Sequence, residues 1–149
     1  RAAGLYTVLV TNGMFTPESI DLLAPWIDVY RADFKSLDDR LYREHTRFAG
    51  AEGIRDGIVR MARHGVHVEL VTVVMPGYHD DEHLARMARW IVETLGPATP
   101  WHLSRFVPYA HVTDIAATPD ASIAAAARIG RAAGLQRIAE GDWYEQDHA

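Results

Sequence analysis

Four short β-rich runs recur along this chain, and helical spacing follows each of them. Leu5 to Val10 is the first run, most β-rich over Tyr6 to Val10, and Thr11-Asn12-Gly13 stops it as a turn. Ile27 to Phe34, Val66 to Met75 and Trp101 to Val107 are the others. Strands that alternate with helices demand parallel βα units joined by right-handed crossovers. The runs are rich in valine on both faces, as in a sheet covered by helices. The expected class is therefore α/β, in the order β-α-β-α-β-α-β-α.

Helix signals fill the gaps. Thr16 can cap a first helix with Pro17 at its first position, and Ile20, Leu22 and Leu23 supply apolar contacts. Ser36 to Arg43 reads as a short helical segment. Ala51 to His64 carries Ile54, Ile58 and Met61 at i, i+4, i+7, and Gly65 stops it. Pro76-Gly77 ends the third strand, and Asp80 or Asp81 caps a helix bearing Leu84, Met87, Ala88, Ile91 and Leu95. Gly96-Pro97 closes that helix. Pro119 to Ala133 is an alanine-rich last helix, stopped by Gly134, and Leu135 to Ala139 is a short fifth strand. Residues 140–149 read as a polar tail.

At 149 residues, 48% of them hydrophobic, the chain suits a single domain with its own core. The formal charge of −5, with no basic block, argues against a nucleic-acid partner. No apolar run approaches the roughly 20 residues of a membrane span. No signal peptide is visible, so a cytoplasmic setting is expected. The absence of cysteine rules out a disulfide, a thiolate metal site and a cysteine nucleophile within this chain. It opens "RAAGLYTVLV", without methionine and almost directly into what reads as a buried strand, and so reads as a piece of something longer.

Each strand ends in polar groups: Thr11 and Asn12; Asp33 and Lys35; Thr72 and then Pro76-Gly77-Tyr78-His79; His102, Ser104 and Arg105. The carboxyl ends of parallel strands share one rim, so these groups are expected at a common cleft. Asp33 and Lys35, at i and i+2, project together. As a simple ion pair they would be worth about 0–1 kcal/mol; a Schiff-base lysine is the other reading of Lys35. "HDDEH", His79 to His83, matches an inverted zinc-protease pattern, but Asp80 or Asp81 as the cap leaves His79 outside the helix. His64 and His67 read as surface residues. In "WHLSRF", Arg105 needs a partner or a substrate anion, with Asp33 a candidate partner; no G-x-S-x-G elbow is present.

Taken together, "LVTNG", "RADFKS", "VELVTVVMPGYHDDE" and "WHLSRF" resemble the radical S-adenosylmethionine (radical SAM) family. The branch is the one similar to pyruvate formate-lyase activating enzymes, in particular the "AmmeMemoRadiSam system" radical SAM enzyme. The likeness runs from Leu5 to Leu135. It implies a partial TIM-type (βα)6 barrel of which this chain covers about strands three to six, the C-terminal part. The family's CxxxCxxC loop, which holds a [4Fe-4S] cluster, and its GGE-type motif are not in the sequence. Asp33 and Lys35 stand at the D-x-K positions that line the S-adenosylmethionine site. Thr11, Asn12 and Gly13 match the turn beside it, Val73 falls near the adenine, and Arg105 is counted with the cofactor contacts. The chain has Val10 where members often have Asp, and Val107 where they commonly have His.

The resemblance implies a parent that reductively cleaves S-adenosylmethionine to methionine and a 5′-deoxyadenosyl radical. That radical would take hydrogen from a glycyl residue of a partner protein or from a small molecule, with flavodoxin or ferredoxin as electron donor. This chain alone would be inactive, because the thiolates are absent. Two alternatives stand beside it: a non-catalytic binding or scaffold remnant, and a Schiff-base lyase using Lys35 on a (βα)8 barrel. An open parallel edge also leads us to expect a poorly stable isolated chain.

Overall fold

The computed structural model describes residues 3–48 and 50–141. Its strands are β1 (Val8–Thr11), β2 (Val29–Asp33), β3 (His67–Val74), β4 (Trp101–Arg105) and β5 (Ile138–Glu140). They form one five-stranded sheet in chain order, β1-β2-β3-β4-β5. The pairs β1–β2, β2–β3 and β4–β5 are parallel. The helices are α1 (Pro17–Leu23), α2 (Asp39–Leu41), α3 (Ala51–Arg63), α4 (Asp81–Thr94) and α5 (Asp120–Ala132). The class is thus α/β, with consecutive neighbouring strands as in part of a TIM-type barrel. By compactness the chain divides into Arg1–Val71 and Thr72–Ala149. Among the described residues no helix is long and apolar enough to cross a membrane. Residues 142–149, most of the expected polar tail, lie outside the described residues.

In the first unit, Thr16 caps α1 by accepting the Ser19 N–H at 3.3 Å, with Pro17 at the first position. Ile20 is buried against α3, whereas Leu22 is exposed, contrary to the sequence reading. Two residues along a helix is about 200° of rotation, so Leu22 lies on the side opposite buried Ile20. The segment expected over Ser36–Arg43 is three residues of α2 running into a π-helical turn, Tyr42–Thr46, which Arg47 ends at φ 55°. Asp39 accepts the first N–H of α3, from Ala51, at 2.8 Å. Gly65 at φ 77° terminates α3, as its sequence position suggests.

Only one face of the strands in this unit is packed. Tyr30, Ala32, Val68 and Leu70 are buried, while Arg31, Asp33, Glu69 and Val71 on the alternate positions are half-buried. Valine on both faces therefore does not mean two covered faces here. The first run is also not a buried strand: Val8 and Val10 are 53% and 62% exposed. Among the described residues β1 has a partner on one side only and lies at the sheet edge.

α1 and α3 are tied by a polar clip. Asp21 accepts from Arg60 Nε at 2.7 Å and Nη2 at 2.5 Å, and His64 Nε2 lies 2.8 Å from it. The Arg60 guanidinium, and then His64, hold the Asp21 carboxyl well below the usual carboxylate range. A depressed carboxylate stabilises above its unfolded pKa, near 4, and loses that contribution as pH falls through its folded value. Asp21→Asn should therefore be less stable than the parent at neutral pH. The gap between their denaturant midpoints should narrow as pH drops below about 4; a gap independent of pH would contradict the clip.

In the second unit, Asp80 caps α4 by accepting the His83 N–H at 2.7 Å. Leu84, Met87, Ala88 and Ile91 form its buried stripe, and α4 packs on α5. α5 crosses β4 and β5 closely at Gly130. A Cβ there would lie 2.7 Å from Ile138 Cδ1 and 3.1 Å from the Trp101 ring. Trp101 is fully buried, and its indole N–H donates to Thr72 Oγ1 at 2.9 Å.

Candidate functional site

The end of β2 is built by alternation. Tyr30, Ala32 and Phe34 turn into the core and are fully buried, so Asp33 turns to the half-open face. Ser36 is also buried. Lys35, between two inward-facing neighbours, emerges on the side of Asp33. Its Nζ donates to Asp33 Oδ2 at 2.6 Å, with 25% of the Lys35 side chain and 37% of Asp33 accessible. A carboxylate and an ammonium thus stand together at the carboxyl end of a parallel strand, neither sealed off.

The loop that carries them is fixed. Phe34 N–H donates to Val71 O at 2.8 Å, and Lys35 N–H to the Tyr42 hydroxyl at 3.1 Å. Asp38 N–H donates to Ser36 Oγ at 3.0 Å, and Arg55 Nη1 to Leu37 O at 2.5 Å. Burial pushes the Tyr42 phenol up, against the pull of the Lys35 and Ser36 amides, so it stays protonated. The π-helical turn supplies Tyr42, and α3 supplies Arg55. Neither was singled out from sequence, because such bracing depends on where separate elements dock. A braced loop costs little further ordering when a ligand arrives.

The register sets Thr11 beside Ala32, so the Thr11-Asn12-Gly13 turn follows the strand next to β2. Thr11 Oγ1 accepts the Gly13 N–H and Asn12 Oδ1 accepts the Met14 N–H, both at 3.1 Å. These side-chain oxygens shape the turn itself. Gly13 has φ 81°, and a Cβ on it would meet Ile54 Cγ2 at 2.9 Å, so only glycine fits. Tyr30 points to the same packing, and burial alone pushes its phenol up to about 12.

Two charged residues on the face of Asp33 were missed by sequence reasoning. Arg31 pairs in register with Glu69, their Nε and Oε2 3.9 Å apart. The signal was present: Arg31 precedes Asp33 by the strand period of two. In the second unit Val73 is 39% exposed, and Arg105 donates to Asp120 Oδ1 at 2.9 Å. Within its own unit Arg105 thus has a carboxylate partner, Asp120, besides the candidate that the sequence offered. Lys35, two residues from Asp33, already holds the Asp33 carboxylate, and Asp120 opens the helix following β4. His79 lies before α4, as capping by Asp80 requires, and among the described residues no cluster of three or more acidic or histidine side chains could hold a metal. His64 and His67 are exposed, in contact with Asp21 and Glu69.

The donor set suits a zwitterionic ligand: Asp33 can receive an ammonium group, and Lys35 a carboxylate. It does not fit an iron–sulfur cluster, because the chain has no cysteine to ligate one.

Comparison with known proteins supplies the family and the fold. Residues 1–91 match the family described as Radical SAM superfamily, and the chain belongs to that superfamily. It is 27% identical over 139 residues to the uncharacterized protein MJ0808 of Methanocaldococcus jannaschii, covering 93% of this chain and 40% of that protein. The chain thus spans about 40% of the length of the curated relative it matches. Its fold is shared with a domain of pyruvate-formate lyase-activating enzyme from Bacteroides vulgatus, known as a crystal structure. There the TM-score is 0.76 at 17% identity, over 95% of this chain and 84% of that domain.

Proposed function

We propose that this chain is the C-terminal part of an activase-like radical S-adenosylmethionine enzyme, and that its role is to seat the cofactor. The observation that carries the reading is the Asp33–Lys35 pair, held at 2.6 Å on a braced loop at the end of β2. Asp33 would orient the cofactor's amino group and Lys35 its carboxylate. The turn at Thr11, Asn12 and Gly13 would border the site, Val73 would meet the adenine, and Arg105 would bear on its polar groups. Bound S-adenosylmethionine supplies the radical chemistry, through a [4Fe-4S] cluster ligated outside this chain. The 149 residues alone would not catalyse it. A cytoplasmic setting, a flavodoxin or ferredoxin donor, and a glycyl-bearing protein or small molecule as hydrogen source belong to the same proposal.

One observation favours a second reading. The lack of any cysteine suits a non-catalytic binding module. By contrast, an ammonium clasped by a carboxylate is not the desolvated amine that a Schiff-base lysine requires. The test is reductive cleavage in the intact gene product, reconstituted anaerobically with iron and sulfide and treated with dithionite. The enzyme reading expects 5′-deoxyadenosine from the intact product and none from the 149-residue chain. Cofactor binding without cleavage in the intact product would favour the binding module.

A further inference from the structure

We infer that His79 is a positioning residue for the nucleotide end of the bound cofactor, acting through the main chain at the end of β3. The inference rests on the reading that Val73 faces the adenine.

A strand's last amides leave the ladder and must find acceptors elsewhere. Past the end of β3, the Met75 N–H donates to His79 Nδ1 at 2.9 Å, in a buried setting. The Met75 carbonyl accepts the N–H groups of Tyr78 and His79, both at 3.1 Å. Both backbone groups of Met75 are therefore bonded within the Pro76-Gly77-Tyr78-His79 turn, which Gly77 permits at φ 82°. One residue earlier, the Val74 carbonyl accepts the Thr118 hydroxyl at 2.5 Å. Thr118 is itself bonded both ways to the Phe106 backbone at 2.9 Å. The main chain just past Val73 is thus gripped from two sides, and Val73 stands 39% exposed on a fixed strand end.

The chemistry of this contact is selective. An imidazole nitrogen that accepts an N–H carries no proton, so the ring proton sits on Nε2. The His83 ring meets the His79 ring edge-on, centroids 5.5 Å apart, and both are largely buried. Leucine at 79 fills similar space without an acceptor. Asparagine sets its Oδ1 close to where Nδ1 stands.

The experiment uses the intact gene product with S-adenosylhomocysteine as the probe. It reads Met75 amide hydrogen exchange, the midpoint of thermal unfolding, and affinity by calorimetry. His79→Leu should speed Met75 exchange and weaken the probe several-fold, because a loosened strand end must then be ordered on binding. His79→Asn should restore both. Should His79→Leu not fold, His79→Gln carries the test, since its acceptor sits one bond too far. Unchanged Met75 exchange, or faster exchange with unchanged affinity in a folded variant, overturns the inference while the cofactor reading stands. A parent protein that binds no S-adenosylhomocysteine overturns the cofactor reading and the inference with it.

Discussion

Lys35→Met should weaken S-adenosylmethionine binding to the intact gene product by about ten- to one-hundred-fold, because a hydrogen bond to a charged group is worth about 1.5–3 kcal/mol. Methionine keeps the length and apolar stem of lysine and removes only the charged head. The variant also leaves Asp33 facing the cofactor carboxylate without its neighbour's positive charge, which adds repulsion. The fold should hardly notice. The pair is part-exposed at its strand end, and pairs of that kind contribute about 0–1 kcal/mol. Lys35→Arg should not rescue fully, since a planar fork replaces a compact point charge. Isothermal titration with unfolding curves separates the two effects. Undiminished affinity in Lys35→Met would remove Lys35 from the site.

The largest effect on stability is expected at Trp101. Trp101→Ala should cost about 3–5 kcal/mol, the range for deleting a large buried aromatic. The indole is fully buried, closes against Gly130 and donates to Thr72. Alanine would leave a cavity between α5 and the start of β4 and remove that hydrogen bond. A domain of this size has about 5–15 kcal/mol in all, so the variant should unfold at a far lower guanidinium concentration. Trp101→Phe should cost less, because it keeps most of the packing and loses the N–H. A midpoint for Trp101→Ala close to the parent's would mean that α5 can collapse onto the gap.

The strand–helix alternation was legible because valine-rich runs, caps and glycine stops are local signals, and here they agree. Thr16, Pro17, Gly65, Asp80 and Gly134 punctuate the chain where its sequence says they should. The side-by-side projection of Asp33 and Lys35 was also readable, since Phe34 and Ser36 are the residues taken inward. What sequence could not supply was partnership. Asp120 reaches Arg105 only because α5 begins beside the end of β4. Tyr42 reaches the Lys35 amide only through a π-helical turn that no periodicity announces. The exposed side chains of β1 were likewise hidden, since an apolar run looks the same whether or not a neighbour covers it.

That uncovered margin has a practical consequence. Among the described residues, Val8–Thr11 pairs with β2 on one flank, and Val8 and Val10 are exposed beside it. For the isolated 149-residue chain, light scattering should therefore rise with protein concentration well before heat disturbs the core. A peptide that docks there in register should suppress the turbidity, and one carrying proline at alternate positions should not.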